Sequence, residues 1–184
     1  SYRNSIFKKN PGKYVVLEVQ FQLRRGEMSE PIYYDELANE LGIKLGEKAD
    51  VLKTRDAVLR IRSRKGMVLN ENDTDTFSAG SFFVNPIVSE DVSNTLPVEL
   101  PRYPEPDGSV KLSAAWLIEN SGISKGYELS GARVSTKHVL ALTNSGKASA
   151  ADIAALAMQI QDAVKLKFGI RLQPEVNLIG LTLN

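Results

Sequence analysis

Between Tyr14 and Arg24 apolar and polar side chains alternate: Leu17, Val19, Phe21 and Leu23 fall on one face, and Glu18, Gln20, Gln22 and Arg24 on the other. A period of two places successive side chains on opposite sides of a pleated chain, so this segment predicts a half-buried strand of an antiparallel sheet. Gly26 and the stretch Glu27 to Glu30 break it. The period then changes. Asp35 is placed to cap a short helix over Glu36 to Leu41 that Gly42 closes. A longer helix is predicted from about Glu47 to Arg64, with Val51, Val58 and Ile61 inward. Residues 69–76 (LNENDTDT) are a polar loop, Phe77 to Val88 is compact, aromatic and glycine-bearing, and Asn94 to Gly108 holds four prolines without periodicity, which predicts an ordered loop.

Further along, Ser113 is placed to cap a helix carrying Ala114, Trp116, Leu117 and Ile118 that ends at Gly122. His138 to Thr143 is apolar on both faces and predicts a buried strand turning at Asn144-Ser145-Gly146. Ser149 and Asp152 form the pattern of a capping box, opening a helix whose stripe is Ile153, Leu156, Ala157, Ile160 and Val164 and whose stop is Gly169. A last strand is predicted through Val176, Leu178 and Ile179. Helices and strands mix without a βαβ rhythm, so the fold class expected is α+β.

Composition narrows the function. With 184 residues, 42% hydrophobic and 24% charged, the chain suffices for one domain or two small ones. Lys and Arg number 23 against 22 Asp and Glu, a balance that gives no support to nucleic acid or a membrane surface as the main partner. The outer face of the second helix is basic (Lys48, Lys53, Arg55, Arg60, Arg62, Arg64), but Asp50 and Asp56 interrupt it and no aromatics alternate with the charges, so a solvated face is expected. The absence of cysteine excludes disulfides, thiolate zinc sites and cysteine nucleophiles, and one histidine excludes multi-histidine metal sites. No apolar run approaches the roughly 18 residues of a membrane span, and no signal peptide is evident, so a cytoplasmic location is expected. Ser1-Tyr2-Arg3 begins without an initiator Met, and the natural polypeptide is expected to be longer.

The chemistry rests on short motifs. In Ala79-Gly80-Ser81-Phe82-Phe83-Val84-Asn85-Pro86 a glycine lets the backbone approach a flat ligand, two phenylalanines anchor the segment, and Asn85 is held extended by the proline after it. This octapeptide resembles the G-S-F-F-x-N-P signature of the UDP-N-acetylenolpyruvoylglucosamine reductase family. Tyr2-Arg3-Asn4-Ser5-Ile6-Phe7 is similar to that family's Y-R-x-S-x-F motif. The stretch Lys111 to Glu119 (KLSAAWLIE) is similar to its K-L-x-A-x-W-L-I-[DE] helix, and Gln173-Pro174-Glu175-Val176 with Ile179-Gly180 to its terminal strand. The four motifs occur in family order over essentially the whole chain.

The resemblance implies a two-stage reaction in peptidoglycan synthesis: NADPH reduces bound FAD, and hydride then passes from flavin N5 to the enolpyruvyl CH2 carbon of UDP-N-acetylglucosamine enolpyruvate, giving UDP-N-acetylmuramate. Hydride addition charges the adjacent carbon and its carboxylate, which calls for fixed positive charge and a positioned acid. By the family pattern Ser81 is that acid, Arg3 supports the carboxylate, and Glu175 orients or polarises the enolate-like intermediate. Tyr2, Arg3, Gly80 and Ser81 are carried over as flavin contacts. Tyr34 matches the mobile tyrosine loop of one family subtype, and Lys65, Asn85, Tyr103, Lys125 and His138 fall on positions that contact the UDP-sugar or its diphosphate. Two departures stand out: Val84 replaces a common Lys and Asn4 a common Asp. They bear on substrate affinity rather than reaction type.

The resemblance also divides the chain. Residues 1–60 correspond to the end of a flavin-binding domain and its connection, 66–170 to a substrate-binding domain, and 171–184 to a strand returning to the flavin domain. The glycine-rich pyrophosphate loop of the family is not in this sequence, and an N-terminal flavin segment is the implied partner. A nucleotide-sugar-binding module without flavin is the competing reading, and a nucleic-acid binder built on the basic helix ranks last.

Overall fold

The computed structural model describes residues 3–183, and these divide into two compact units, one up to Val58 and one from Leu59 on. In the first unit, Ser5 accepts a hydrogen bond from Lys8 N–H at 3.2 Å and caps the single turn α1 (Ile6–Lys9). The segment 14–24 joins no ladder, and Leu17, Val19, Phe21 and Leu23 are 92%, 63%, 79% and 81% exposed. The expected half-buried strand is therefore corrected: the alternation is present, but a strand forms only against a neighbour, and none of the described residues pairs with it. The short helix α2 (Asp35–Leu41) starts one residue early, with Tyr34 at the cap position and Asp35 inside the first turn, and closes on Gly42 at φ 68° as expected. A small core of Ile32, Ala38 and Ala49 lies beneath it.

Helix α3 (Val51–Arg64) begins four residues later than its periodicity suggests. Residues 47–50 are used otherwise: Ile32 N–H donates to Glu47 O, Ser29 N–H to Ala49 O, and Met28 bridges Asp50. The Asp50 carboxylate then accepts from Leu52 and Lys53 N–H at 3.0 and 2.9 Å and sets the start. The buried positions are Ala57 and Ile61, one turn apart, while Val51 and Val58 stay exposed.

In the second unit two antiparallel sheets share one core. The first has β1 (Ser78–Ser81) beside β7 (Ala141–Asn144), then β6 (Ala132–Val134) and β5 (Glu128–Leu129). The second has β2 (Ile87–Val88), β4 (Val110–Leu112) and β3 (Arg102–Pro104), with the turn α4 (Glu90–Asn94) against β4. Helix α5 (Ala114–Glu119), capped by Ser113, and helix α6 (Ala150–Phe168) pack on each other, and α6 covers β5, β6 and β7. Leu156, Ala157, Ile160 and Val164 of α6 are fully buried with Leu112, Leu117, Ile118 and Val134. The α+β class stands.

Three elements of the second unit differ from expectation, and β3 is a strand inside the expected loop Asn94 to Gly108. His138 lies in a turn rather than a strand, because Ser135 Oγ accepts the N–H groups of both Lys137 and His138 and reverses the chain before β7. Residues 176–179 form no strand; the C-terminal segment makes one bridge, Pro174 to Phe83, and Ile179 is exposed. Helix α5 stops at Asn120, two residues before Gly122. The loop after α4 is ordered for a reason its prolines did not reveal: the Arg102 guanidinium donates to the carbonyls of Ser93, Leu96, Pro97, Val98 and Leu100 and to the Ser93 hydroxyl.

Candidate functional site

Three of the four motifs meet at residues 80–86. Strand β1 pairs Ser78 with Thr143 and Ser81 with Ala141, so it carries one residue more than β7 over the same interval. That surplus is a bulge at Ala79-Gly80, and Gly80 takes it up at φ +82°, where an L side chain is strained. A bulge turns the side chain that follows it, here Ser81. A Cβ built on Gly80 would meet nothing within 4 Å, so glycine serves the backbone conformation and leaves bare main chain on its open side. Among the described residues none hydrogen-bonds the Ser81 hydroxyl.

Behind Ser81, Phe82 and Phe83 are 5% and 1% exposed, with ring centroids 5.0 Å apart. Their main chain clasps the terminal motif: Glu175 N–H donates to Phe82 O at 2.7 Å and Val84 N–H to Gln173 O at 3.0 Å. Glu175, half-buried, is thereby fixed through its main chain to Phe82, Ser81's neighbour. Asn85 Oδ1 accepts Ala114 N–H at 2.9 Å, and Leu112 N–H donates to Pro86 O at 2.9 Å, so the third motif is tied to the first. Asn85 thus has a structural task at the head of α5.

A second group lies on the loops of the same unit. His138 is half-buried, and its imidazole is held below the ordinary 6.5, first by burial, then by the charges of Lys65 and Lys125, with Glu119 opposing. Both lysines therefore act on the one imidazole. Lys125 Nζ is 3.8 Å from Glu119, which offsets part of the repulsion. Such an arrangement of positive charge suits an anion.

The remaining expected residues are more scattered. Tyr103 on β3 lies opposite Lys111, whose ammonium is 5.9 Å from its ring centroid and 2.5 Å from Glu105 Oε1. Tyr34 caps α2 in the first unit, 59% exposed, its hydroxyl donating to Glu36 at 3.1 Å. Arg3, also in the first unit, has a left-handed backbone at φ 52°. Tyr2 lies outside the described residues. Sequence reasoning missed Asp75, Arg133 and Thr136: Asp75 is 4% exposed and accepts from Thr136 N–H at 3.1 Å and from its hydroxyl, with Arg133 at 3.5 Å. The Asn- and Asp-rich loop 69–76 was the only signal.

Fold and site together define an α+β domain with a serine hydroxyl and a carboxylate on adjoining segments and two lysines and a histidine on loops of the same unit. The family model for the C-terminal domain of UDP-N-acetylenolpyruvoylglucosamine reductase matches residues 72–179, and the chain belongs to that family. It is 50% identical to the reductase of that name from Cutibacterium acnes, covering 99% of this chain and 48% of the relative. It is also 50% identical to the Mycolicibacterium gilvum protein (99% and 53%) and 49% identical to the Thermobifida fusca protein (100% and 54%). The chain spans about half the length of these relatives. No described helix is long and apolar enough to cross a membrane.

Proposed function

We propose that this chain supplies the substrate-holding half of an FAD-dependent, NADPH-consuming reductase that converts UDP-N-acetylglucosamine enolpyruvate to UDP-N-acetylmuramate in the cytoplasm, a step of peptidoglycan synthesis that serves cell-wall biogenesis, cell shape and division. The observation that carries the reading is the bulge that sets Ser81 beside the hydrogen-bonded Glu175 segment. In this reading residues 1–60 complete a flavin domain, 66–170 hold the substrate, and 171–184 return to the flavin domain. The part of the polypeptide outside this chain completes that domain and covers the apolar face of 14–24.

Ser81 hands its proton to the carbon beside the carboxylate. A hydroxyl is a weak acid, so the step requires a strongly basic carbon and the exclusion of water. Arg3 holds the carboxylate with a permanent charge, and Glu175 polarises it. Lys65, Lys125 and His138 take the diphosphate, Asn85 and Tyr103 the sugar, and Tyr34 closes over the nucleotide as in the tyrosine-loop subtype. Val84 leaves the substrate one nearby cation short of many members. Bound flavin supplies the hydride, with Tyr2, Arg3, Gly80 and Ser81 assigned to hold it; the bare main chain at Gly80 fits the approach of a flat ring.

Turnover tests the reading. The full-length protein is expected to show flavin absorbance and to oxidise NADPH in step with UDP-N-acetylmuramate formation. Colourless protein that binds the UDP-sugar without oxidising NADPH would establish the flavin-free module instead.

A further inference from the structure

We infer that Asp75 is the positioning residue of the cation group, fixing the loops that hold Lys65, Lys125 and His138 together. The inference rests on assigning that group to the substrate. Its ground is geometric. The Asp75 side chain is 5% exposed, and its carboxylate grips Thr136 twice, through the backbone N–H at 3.1 Å and through the hydroxyl. Arg133 Nη2 stands 3.5 Å from the same carboxylate and donates to Thr74 Oγ1 at 3.1 Å, and Lys137 Nζ pairs with Asp73. Two loops 61 residues apart in sequence are thus pinned at one carboxyl group.

Lys65, Lys125 and His138 each stand one or two residues from the segments that meet at Asp75 and Thr136. Beside Lys65, Gly66 runs at φ +69° so close to Asp75 that a Cβ would come 3.0 Å from the Asp75 carbonyl oxygen. Beside Lys125, Gly126 donates to Val134 O at 2.9 Å and faces the Thr136 methyl. His138 follows Thr136 by two residues, its N–H held by Ser135 Oγ at 3.3 Å. Both lysines oppose a proton on the His138 imidazole, and loops alone would let the three side chains part. A buried carboxylate that satisfies both loops holds them in place, and its removal leaves Arg133, whose Nε is already buried without a partner, uncompensated.

The test uses the full-length reductase and two readouts: KM for the enolpyruvyl UDP-sugar, and the NMR titration of the His138 imidazole, assigned by its loss in His138→Gln. Asp75→Ala is expected to raise KM about 10- to 100-fold, more than it lowers kcat, because the lost contact is binding common to ground and transition states. It is also expected to move the His138 midpoint up toward 6.5, as Lys65 and Lys125 draw away and solvent enters while Glu119 opposes them. Asp75→Asn, which keeps an oxygen for Thr136, should fall between. Val164→Ala, a core truncation in α6, should move neither readout. Wild-type KM and midpoint in Asp75→Ala, or shifts no larger than those of Val164→Ala, would overturn the inference. If Asp75→Ala does not fold, Thr136→Val must shift both readouts in the same direction, and unchanged values would overturn it equally. A wild-type enzyme that ignores the UDP-sugar while the midpoint still moves would sink the proposed function and leave the positioning role standing.

Discussion

His138 is a histidine kept neutral by its surroundings. Burial and then the charges of Lys65 and Lys125 depress its folded pKa below 6.5, while the unfolded chain keeps the ordinary value. Between those two values the unfolded state binds the extra proton, so stability is full above about pH 6.5 and declines as the pH falls through that window. The expected outcome is that denaturant unfolding of the wild type loses stability relative to His138→Gln between about pH 7.5 and pH 5; parallel curves would contradict it. In the proposed function a diphosphate beside the ring would act in the opposite sense, favouring the imidazolium, so that its binding would take up a proton. At this scale the need for glycine at position 80 was legible, since it stands in one contiguous motif. The bulge that aims Ser81 was not, because it exists only in the register with β7. Asp75 was no more visible than Asp73, as its partners Arg133 and Thr136 lie far along the chain.

Elements whose determinants are local follow their sequence closely. In α6 the Ser149 hydroxyl accepts Asp152 N–H at 3.2 Å, the Asp152 carboxylate accepts Ser149 N–H at 2.8 Å, and Gly169 closes the helix at φ 72°. All of this lies within four residues of a helix end. Ser149→Ala is expected to cost about 1 kcal/mol, read from the denaturant midpoint at unchanged m value. Leu156, Ile160 and Val164 keep the helix docked, so the loss stays at that size. Elements that need a distant partner depart from their pattern. The alternation at Tyr14 to Arg24 and the apolar residues after Pro174 specify faces, not neighbours, and no ladder forms at either. The late start of α3 has the same origin, since residues 47–50 pair with 28–32 before the helix can take them.

For the whole molecule, the second unit is one hydrophobic core under two sheets, and its outer loops carry most of the residues assigned to substrate. The first unit carries Arg3 and Tyr34 on a much smaller core, with an apolar face at 14–24 left to solvent. That disproportion agrees with a chain spanning about half of each relative. Family membership was legible in four short motifs because each is contiguous. The convergence of three of them on residues 80–86 was not, because it depends on the bridge from Phe83 to Pro174 and the bond from Ala114 to Asn85. The central claim is that the Ser81 hydroxyl donates the proton that completes reduction of the substrate. Rapid mixing of full-length Ser81→Ala separates the two half-reactions. Reduction of flavin by NADPH should keep its wild-type rate, while its reoxidation by the enolpyruvyl UDP-sugar slows by roughly 10²- to 10⁴-fold. Equal slowing of both half-reactions, or reoxidation at the wild-type rate, would contradict it.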